Sequence, residues 1–295
     1  MGAGSLRSPG APRLQTYYNE FDPFAAQWLR NLISKGLIAP GVVDDRPIQE
    51  VQPGDVFSRA HFFAGIGGWD LALQLAGWPS DAPVWTGSCP CQPFSAAGKR
   101  KGVEDPRHIW PEFRRLISEC LPPVIFGEQV ASADGRLWLD GVRSDLEALG
   151  YAVGAADLCS AGVGAPNIRQ RLYWVACAKG VRLEGGSDRS ERLSPEPFGL
   201  LPAGPSINAG GLGYWSDFDA LPCLDGRARR IEPGSFPLAH GVPGRVGLLR
   251  GYGNAINPQV AAEFIRAFLE AAGLPEAASA EGSPIPSQPS PEGNP

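Results

Sequence analysis

The run Gly87-Ser88-Cys89-Pro90-Cys91-Gln92-Pro93-Phe94-Ser95 carries the makings of a nucleophilic site. A cysteine thiol becomes a strong nucleophile once deprotonated. Pro90 and Pro93 bracket the Cys91-Gln92 pair. Each proline fixes φ and removes a backbone donor, so the loop is stiff and the Cys91 thiol is held in place. The preceding segment, Ala82-Pro83-Val84-Trp85-Thr86, reads as a strand. A cysteine at the C-terminal end of a parallel strand sits where open sheets bind their ligands. Metal binding is the competing use of a Cys-x-Cys pair. No second pair matches it, and the only histidines, His61, His108 and His240, are far apart in the chain.

A second element is Phe62-Phe63-Ala64-Gly65-Ile66-Gly67-Gly68. The run from His61 to Ala64 is strand-like, breaks into glycines, and leads into an amphipathic helix from Trp69 to Ala76. Closely spaced glycines between a strand and a helix let backbone approach a ligand at the helix N-terminus. Many nucleotide-binding folds share this turn, as do tight turns that hold nothing. Alone, it leaves the ligand open.

These two loops need a frame. Phe24 to Ile38 places Phe24, Trp28, Leu29, Leu32 and Ile33 on one helical face. Pro111 to Cys120 and Leu137 to Leu149 also read as helices, the latter ended by Gly150. Val124-Ile125-Phe126 and Leu172 to Ala176 read as strands. Strands alternating with helices predict an α/β fold: a doubly wound, mostly parallel sheet covered on both faces. The expected organisation is a disordered lead over 1–13, the sheet domain over 14–179, and a small irregular Gly/Pro-dense region over 180–250. A returning segment over 251–271, helical from Asn257 to Ala271, precedes a disordered tail over 272–295.

Composition sets limits without naming a function. The chain has 295 residues, room for one large domain, and 43% apolar content supports a real core. No stretch approaches the roughly eighteen apolar residues of a membrane span, and the first twenty residues hold no signal-peptide core. An intracellular soluble protein is expected. Six scattered cysteines do not make a disulfide framework. A net charge of −5 argues against a phosphate-neutralising surface, yet the average hides a gradient. From Ser160 to Tyr252 there are eleven Lys/Arg against eight Asp/Glu, while acid gathers in the tail at Glu270, Glu276, Glu281 and Glu292. Charge alone decides neither way.

Taken together, these motifs resemble those of the DNA cytosine-5 methyltransferase family of bacterial or phage type. The glycine turn is similar to its cofactor motif, and Pro90-Cys91-Gln92 to its catalytic loop. Glu128-Gln129-Val130 resembles its Glu-Asn-Val element, and Asn167-Ile168-Arg169-Gln170-Arg171 its Gln-x-Arg-x-Arg element. Gly253-Asn254-Ala255-Ile256-Asn257-Pro258 looks like its final Gly-Asn-x-Val-x-Pro element. The resemblance covers roughly 15–179 and 250–270 and leaves the middle unmatched.

The resemblance implies a Rossmann-like S-adenosylmethionine-dependent methyltransferase sheet in which 14–179 is catalytic and cofactor-binding and 180–250 recognises the target. Cytosine is a poor nucleophile at carbon 5. A thiolate from Cys91, framed by Pro90 and Gln92, would add to carbon 6 and create an enamine able to take a methyl group. Arg171 and the sulfonium would lower the thiol pKa. Glu128 would bind N3 and the exocyclic amine and supply a proton, with a pKa raised in a closed site. Arg171 would hold the carbonyl oxygen and Arg169 support the loop. Phe63, Ala64, Gly65, Ile66, Gly67, Gly68 and Asn254 would hold the cofactor.

Family members flip the target base out of the duplex. The segment from Ser95 to Asp105, with hinges at Gly98 and Gly102 and charges at Lys99, Arg100 and Lys101, suits a loop closing over DNA. Arg227, Arg229 and Arg230 are further DNA-contact candidates. The implied partners are double-stranded DNA and a candidate cognate restriction endonuclease, for a cytoplasmic monomer. Methylation of cytosine in transfer RNA is the alternative; 180–250 lacks the Cys-Phe-Thr sequence of that subgroup. A catalytically silent DNA-binding relative and a dinucleotide-dependent oxidoreductase are the others.

One feature departs from the family. Residues similar to its ribose and adenine elements, Glu20-Phe21 and Asp44, precede the glycine turn instead of following it. A circular shift accounts for this if the chain runs through the outer strands first and crosses to the centre through Asp45 to Ser58. Glu20 would then bind the ribose hydroxyls, Phe21 stack on adenine, and Asp44 accept from its amino group. His61 stands where the family commonly has Asp, Gln129 for Asn, and Asn167 for Gln.

Overall fold

The computed structural model describes residues 15–90, 109–165, 167–178, 219–222, 228–231 and 251–272. Seven strands form one sheet: β1 (Thr16–Asn19), β2 (Gly41–Asp44), β3 (Arg59–Phe62), β4 (Val84–Gly87), β5 (Val124–Val130), β6 (Tyr151–Cys159) and β7 (Gln170–Ala178). Their spatial order is β2-β1-β3-β4-β5-β7-β6. Neighbours from β2 to β5 pair in parallel, and β7 runs antiparallel to both β5 and β6. Six strands therefore share a direction and β7 opposes them. Outside this sheet, β8 (Asp219–Pro222) and β9 (Ala228–Ile231) form an antiparallel pair within the stretch expected to be irregular.

The first three strands are not laid down in spatial order. The chain makes β1, adds β2 at the outer edge, and then crosses back over β1 through residues 45–58 to lay down β3. That connection carries two short 3-10 turns, Ile48–Glu50 and Pro53–Asp55. Ile48 and Val51 are buried, so the crossing is anchored to the sheet.

Helices α1 (Pro23–Ser34), α2 (Gly68–Leu75), α3 (Trp110–Cys120), α4 (Ala133–Ala148) and α5 (Pro258–Ala271) cover the two faces. Alternation along β5 shows the division. Val124 and Phe126 pack with Leu73, Ile265 and Leu269 of α2 and α5, while Ile125 packs with Phe113, Leu116 and Leu146 of α3 and α4. A third cluster seats Leu29 of α1 on Tyr18, Ile38 and Ala64. Caps set the starts: Asp22 accepts from the amides of Phe24 and Ala25, and Asn257 from those of Gln259 and Val260, each followed by Pro at the first helical position. No described helix is long and apolar enough to cross a membrane.

The sheet differs from the sequence reading in extent. β5 continues four residues past Phe126, because Glu128 and Gln129, polar and therefore read as a strand exit, are buried within the strand. α4 begins at Ala133 instead of Leu137, since Ser132 caps it across a Gly-containing first turn. The edge strand β6 went unread: only its first residue is buried, and its glycine and alanines carry little strand signal.

Candidate active site

Two clusters of side chains stand at the C-terminal ends of the parallel strands. The first surrounds the glycine turn. Phe63 adopts φ +53, a left-handed conformation costly for a bulky residue, and its ring meets Phe113 edge-on at 5.8 Å. Gly65 and Gly67 also have positive φ, and Gly67 caps α2. Ala64 is buried against α1, so only its backbone faces the turn. Ile66 is half-buried beside Gly251, and Gly68 lies so close to Ile256 that a Cβ there would come within 2.8 Å of it.

Glu20, one residue past β1, reaches this turn. Its Oε2 accepts from the Gly65 amide at 2.7 Å and its Oε1 from the Asp22 amide at 2.9 Å. Burial raises its pKa, against those two amides, which lower it. Each oxygen keeps acceptor capacity for a hydroxyl. Phe21 beside it is 66% exposed. Among the described residues no side chain caps α2, whose first-turn amides suit a ligand carboxylate. This donor set fits S-adenosylmethionine, which carries an aromatic base, a pair of ribose hydroxyls and an amino-acid end.

Asp44 is arranged otherwise than expected. Arg46 grips both carboxylate oxygens, with Nη2 2.6 Å from Oδ2 and Nε 3.0 Å from Oδ1, and the Tyr17 hydroxyl donates to Oδ2 at 2.7 Å. These bonds hold its carboxyl below the usual range despite partial burial. An adenine amino group would have to displace one of these donors. In this arrangement Asp44 locks the end of β2.

Behind the turn lies a buried polar cluster. Arg59 Nη2 donates to Asp70 Oδ1 at 2.8 Å, and the Ala39 amide and Gln74 donate to Oδ2. His61 Nε2 is 3.3 Å from Asp70 Oδ1, its Nδ1 is 2.8 Å from Thr86 Oγ1, and Tyr18 stacks on the ring at 5.1 Å. Burial drives the His61 pKa down more than Asp70 lifts it. His61 thus joins β1, β3, β4 and α2 under the turn.

The second cluster lies across β4, β5 and β7. Glu128 is 9% exposed, and its Oε1 accepts from Arg171 Nε at 2.8 Å. Burial raises the Glu128 pKa, and the charges of Arg171 and Arg169 only partly counter it. Arg169 turns elsewhere: its Nη2 donates to the carbonyls of Gly253 at 3.0 Å and Ala255 at 2.5 Å, bracing the segment that carries the exposed Asn254. Gln129 Nε2 donates to the Cys89 carbonyl at 3.2 Å, and Trp69 Nε1 to Ser88 Oγ at 3.0 Å. The start of the Pro-Cys-Gln loop is thereby strapped to the strand bearing Glu128, with Pro90 exposed beyond it. Sequence reading noted Gln129 only as a departure from Asn and missed this strap; its place beside Glu128 in an apolar run was the available signal.

Cys91, Gln92, Ser95, Lys99, Arg100, Lys101 and Arg227 lie outside the described residues. Arg229 and Arg230 belong to β9.

Residues 79–199 match the model of the C-5 cytosine-specific DNA methylases. The match includes the Cys91 loop, Glu128 and both arginines, and begins beyond the glycine turn. Type II methyltransferase M.HhaI of Haemophilus parahaemolyticus is 31% identical over 177 residues, covering 47% of this chain and 52% of that protein. Type II methyltransferase M.PspPI of Psychrobacter sp. (strain TA137) is 30% identical over 209 residues, 55% of this chain and 48% of the relative. The chain spans about half the length of these relatives. The solved structure of S. pombe Dnmt2 methyltransferase aligns at 20% identity with a TM-score of 0.36, over 56% of this chain and 51% of that one.

Proposed function

We propose that this chain, whose residues 79–199 match the C-5 cytosine-specific DNA methylases, is a member of that family and transfers a methyl group from S-adenosylmethionine to carbon 5 of a cytosine extruded from duplex DNA. One observation carries the reading. Gln129 binds the Cys89 carbonyl while its neighbour Glu128 pairs with Arg171, so the Cys91 loop sets out beside a buried acid and a guanidinium.

Each group has a task. The Cys91 thiolate adds to carbon 6, and the electron pair of the ring's 5,6 double bond moves to carbon 5. Glu128, whose pKa burial raises, holds a proton that it donates to N3 as negative charge builds on the ring. Arg171 lies 2.8 Å from that carboxyl and offers donors to the ring carbonyl oxygen. S-adenosylmethionine supplies an electrophilic methyl group. Return of the N3 proton to Glu128, loss of the carbon 5 proton to water and departure of the thiolate then restore the aromatic ring. Glu20 and Phe21 hold the ribose and the base, and Arg169 keeps the Asn254 segment against the glycine turn.

Bisulfite sequencing of DNA from cells expressing the protein tests this directly. Cytosines methylated at one recurring sequence, and lost with Cys91→Ser, are expected. Unmodified DNA, or modification that survives the serine replacement, defeats the reading.

A further inference from the structure

Ile168 is 73% exposed, more than any other large apolar side chain among the described residues. Its position is fixed, not frayed. The Cys159 thiol donates to the Ile168 carbonyl at 2.8 Å, and the Ser160 amide and hydroxyl both approach the Arg169 carbonyl at 3.3 Å. Arg169 is tied in turn to Gly253 and Ala255. A β-branched side chain on such a backbone has few rotamers and little room to retreat from solvent.

Its place in the sheet gives the exposure a purpose. Arg171 lies opposite Val130, the last residue of β5, so residues before Gln170 project past the sheet at the end where Glu128 and Arg171 meet. Ile168 stands there, between the polar Asn167 and the cationic Arg169. An apolar side chain held out on a rigid backbone beside the acid–guanidinium pair matches a stacked duplex, whose base steps accept apolar wedges.

We propose that Ile168 packs into the duplex beside the target base pair and favours the extruded state of the cytosine. The inference rests on the methyltransfer reading above. Removing the wedge costs rate only where the base must still be pulled from its pair.

The test uses the full chain and two duplexes bearing the recognition sequence found by bisulfite mapping. One has the target cytosine paired with guanine, the other has it opposite an abasic site. Ile168→Ala is expected to slow methylation of the paired duplex about tenfold, to keep near wild-type rate on the abasic one, and to leave cofactor affinity unchanged. Ile168→Leu should retain most activity on both. Equal wild-type and alanine rates on the paired duplex overturn the inference, as does an equal loss on both duplexes, which marks a purely structural role. Wild-type protein that methylates neither duplex overturns the underlying reading and this inference with it.

Discussion

Arg171 reaches diagonally across the sheet to Glu128. The two are not register partners, since Glu128 lies opposite Tyr173 and Arg171 opposite Val130, yet Nε and Oε1 are 2.8 Å apart. Diagonal neighbours on adjacent strands are within reach of long side chains. The antiparallel β7 therefore brings the guanidinium to the acid from a point 43 residues later in sequence without a further loop.

That pair makes the first prediction. Glu128→Gln preserves shape but removes the transferable proton, and kcat should fall about 100- to 10,000-fold. Because burial raises the pKa of Glu128, the wild-type kcat should decline as pH rises above the ordinary carboxylate range, when the acid loses its proton. The variant should lack that limb. Steady-state methyl transfer at several pH values reads both, and an unaltered kcat in the variant removes Glu128 from catalysis.

Glu20→Ala removes the carboxylate that accepts from the Gly65 amide and to which the proposed function assigns the ribose. Cofactor affinity should weaken by about tenfold or more, the worth of a charged hydrogen bond lost from a binding site. Calorimetric titration with S-adenosylmethionine measures it. Unchanged binding would remove the ribose assignment.

Arg169→Ala leaves the Gly253 and Ala255 carbonyls without their shared donor. A loss of about 1–3 kcal/mol of stability is expected, with a raised KM for cofactor because the Asn254 segment loosens. Arg169→Lys should restore part of both. Thermal melts and cofactor titration of the two variants separate a brace from a bystander, whose removal changes neither.

His61 predicts a pH dependence of stability. Its folded pKa lies below the ordinary value, so on acidification the unfolded chain takes up this proton before the native one does. Stability should fall as pH drops below about 6.5, by up to about 1.4 kcal/mol per pH unit from this group. Asp70 acts in a lower window: its depressed carboxyl contributes stability above about pH 4, lost on further acidification. Denaturant melts between pH 5 and 7.5 on wild type and His61→Gln check the first part. An identical slope in both acquits His61.

Gly127 is a packing prediction. A Cβ there would come within 2.2 Å of the Trp174 ring in the centre of the sheet. Gly127→Ala should destabilise by about 1–3 kcal/mol or prevent folding. Among the described residues a Cβ on Gly141 in α4 would meet nothing within 4 Å, and Gly141→Ala should stabilise by about 0.5–1 kcal/mol. Opposite shifts in Tm are the expected readout.

What the sequence determined by itself was chemical identity at fixed spacings. The glycine turn and the spacing of Arg169 and Arg171 were legible because each is local: glycines permit one turn, and residues two apart belong to one short segment. The parallel α/β class was legible from periodicity for the same reason. Long-range pairings were not. Strands β1 and β2 are four residues each and became recognisable only within the sheet, where β1 bonds to both β2 and β3. Burial decided that Glu128 and Gln129 extend a strand instead of ending it. Asp44 shows the limit most clearly. Its residue type was plain, but its partners Arg46 and Tyr17 were not, because a carboxylate drawn from water takes the nearest donors that the tertiary structure supplies.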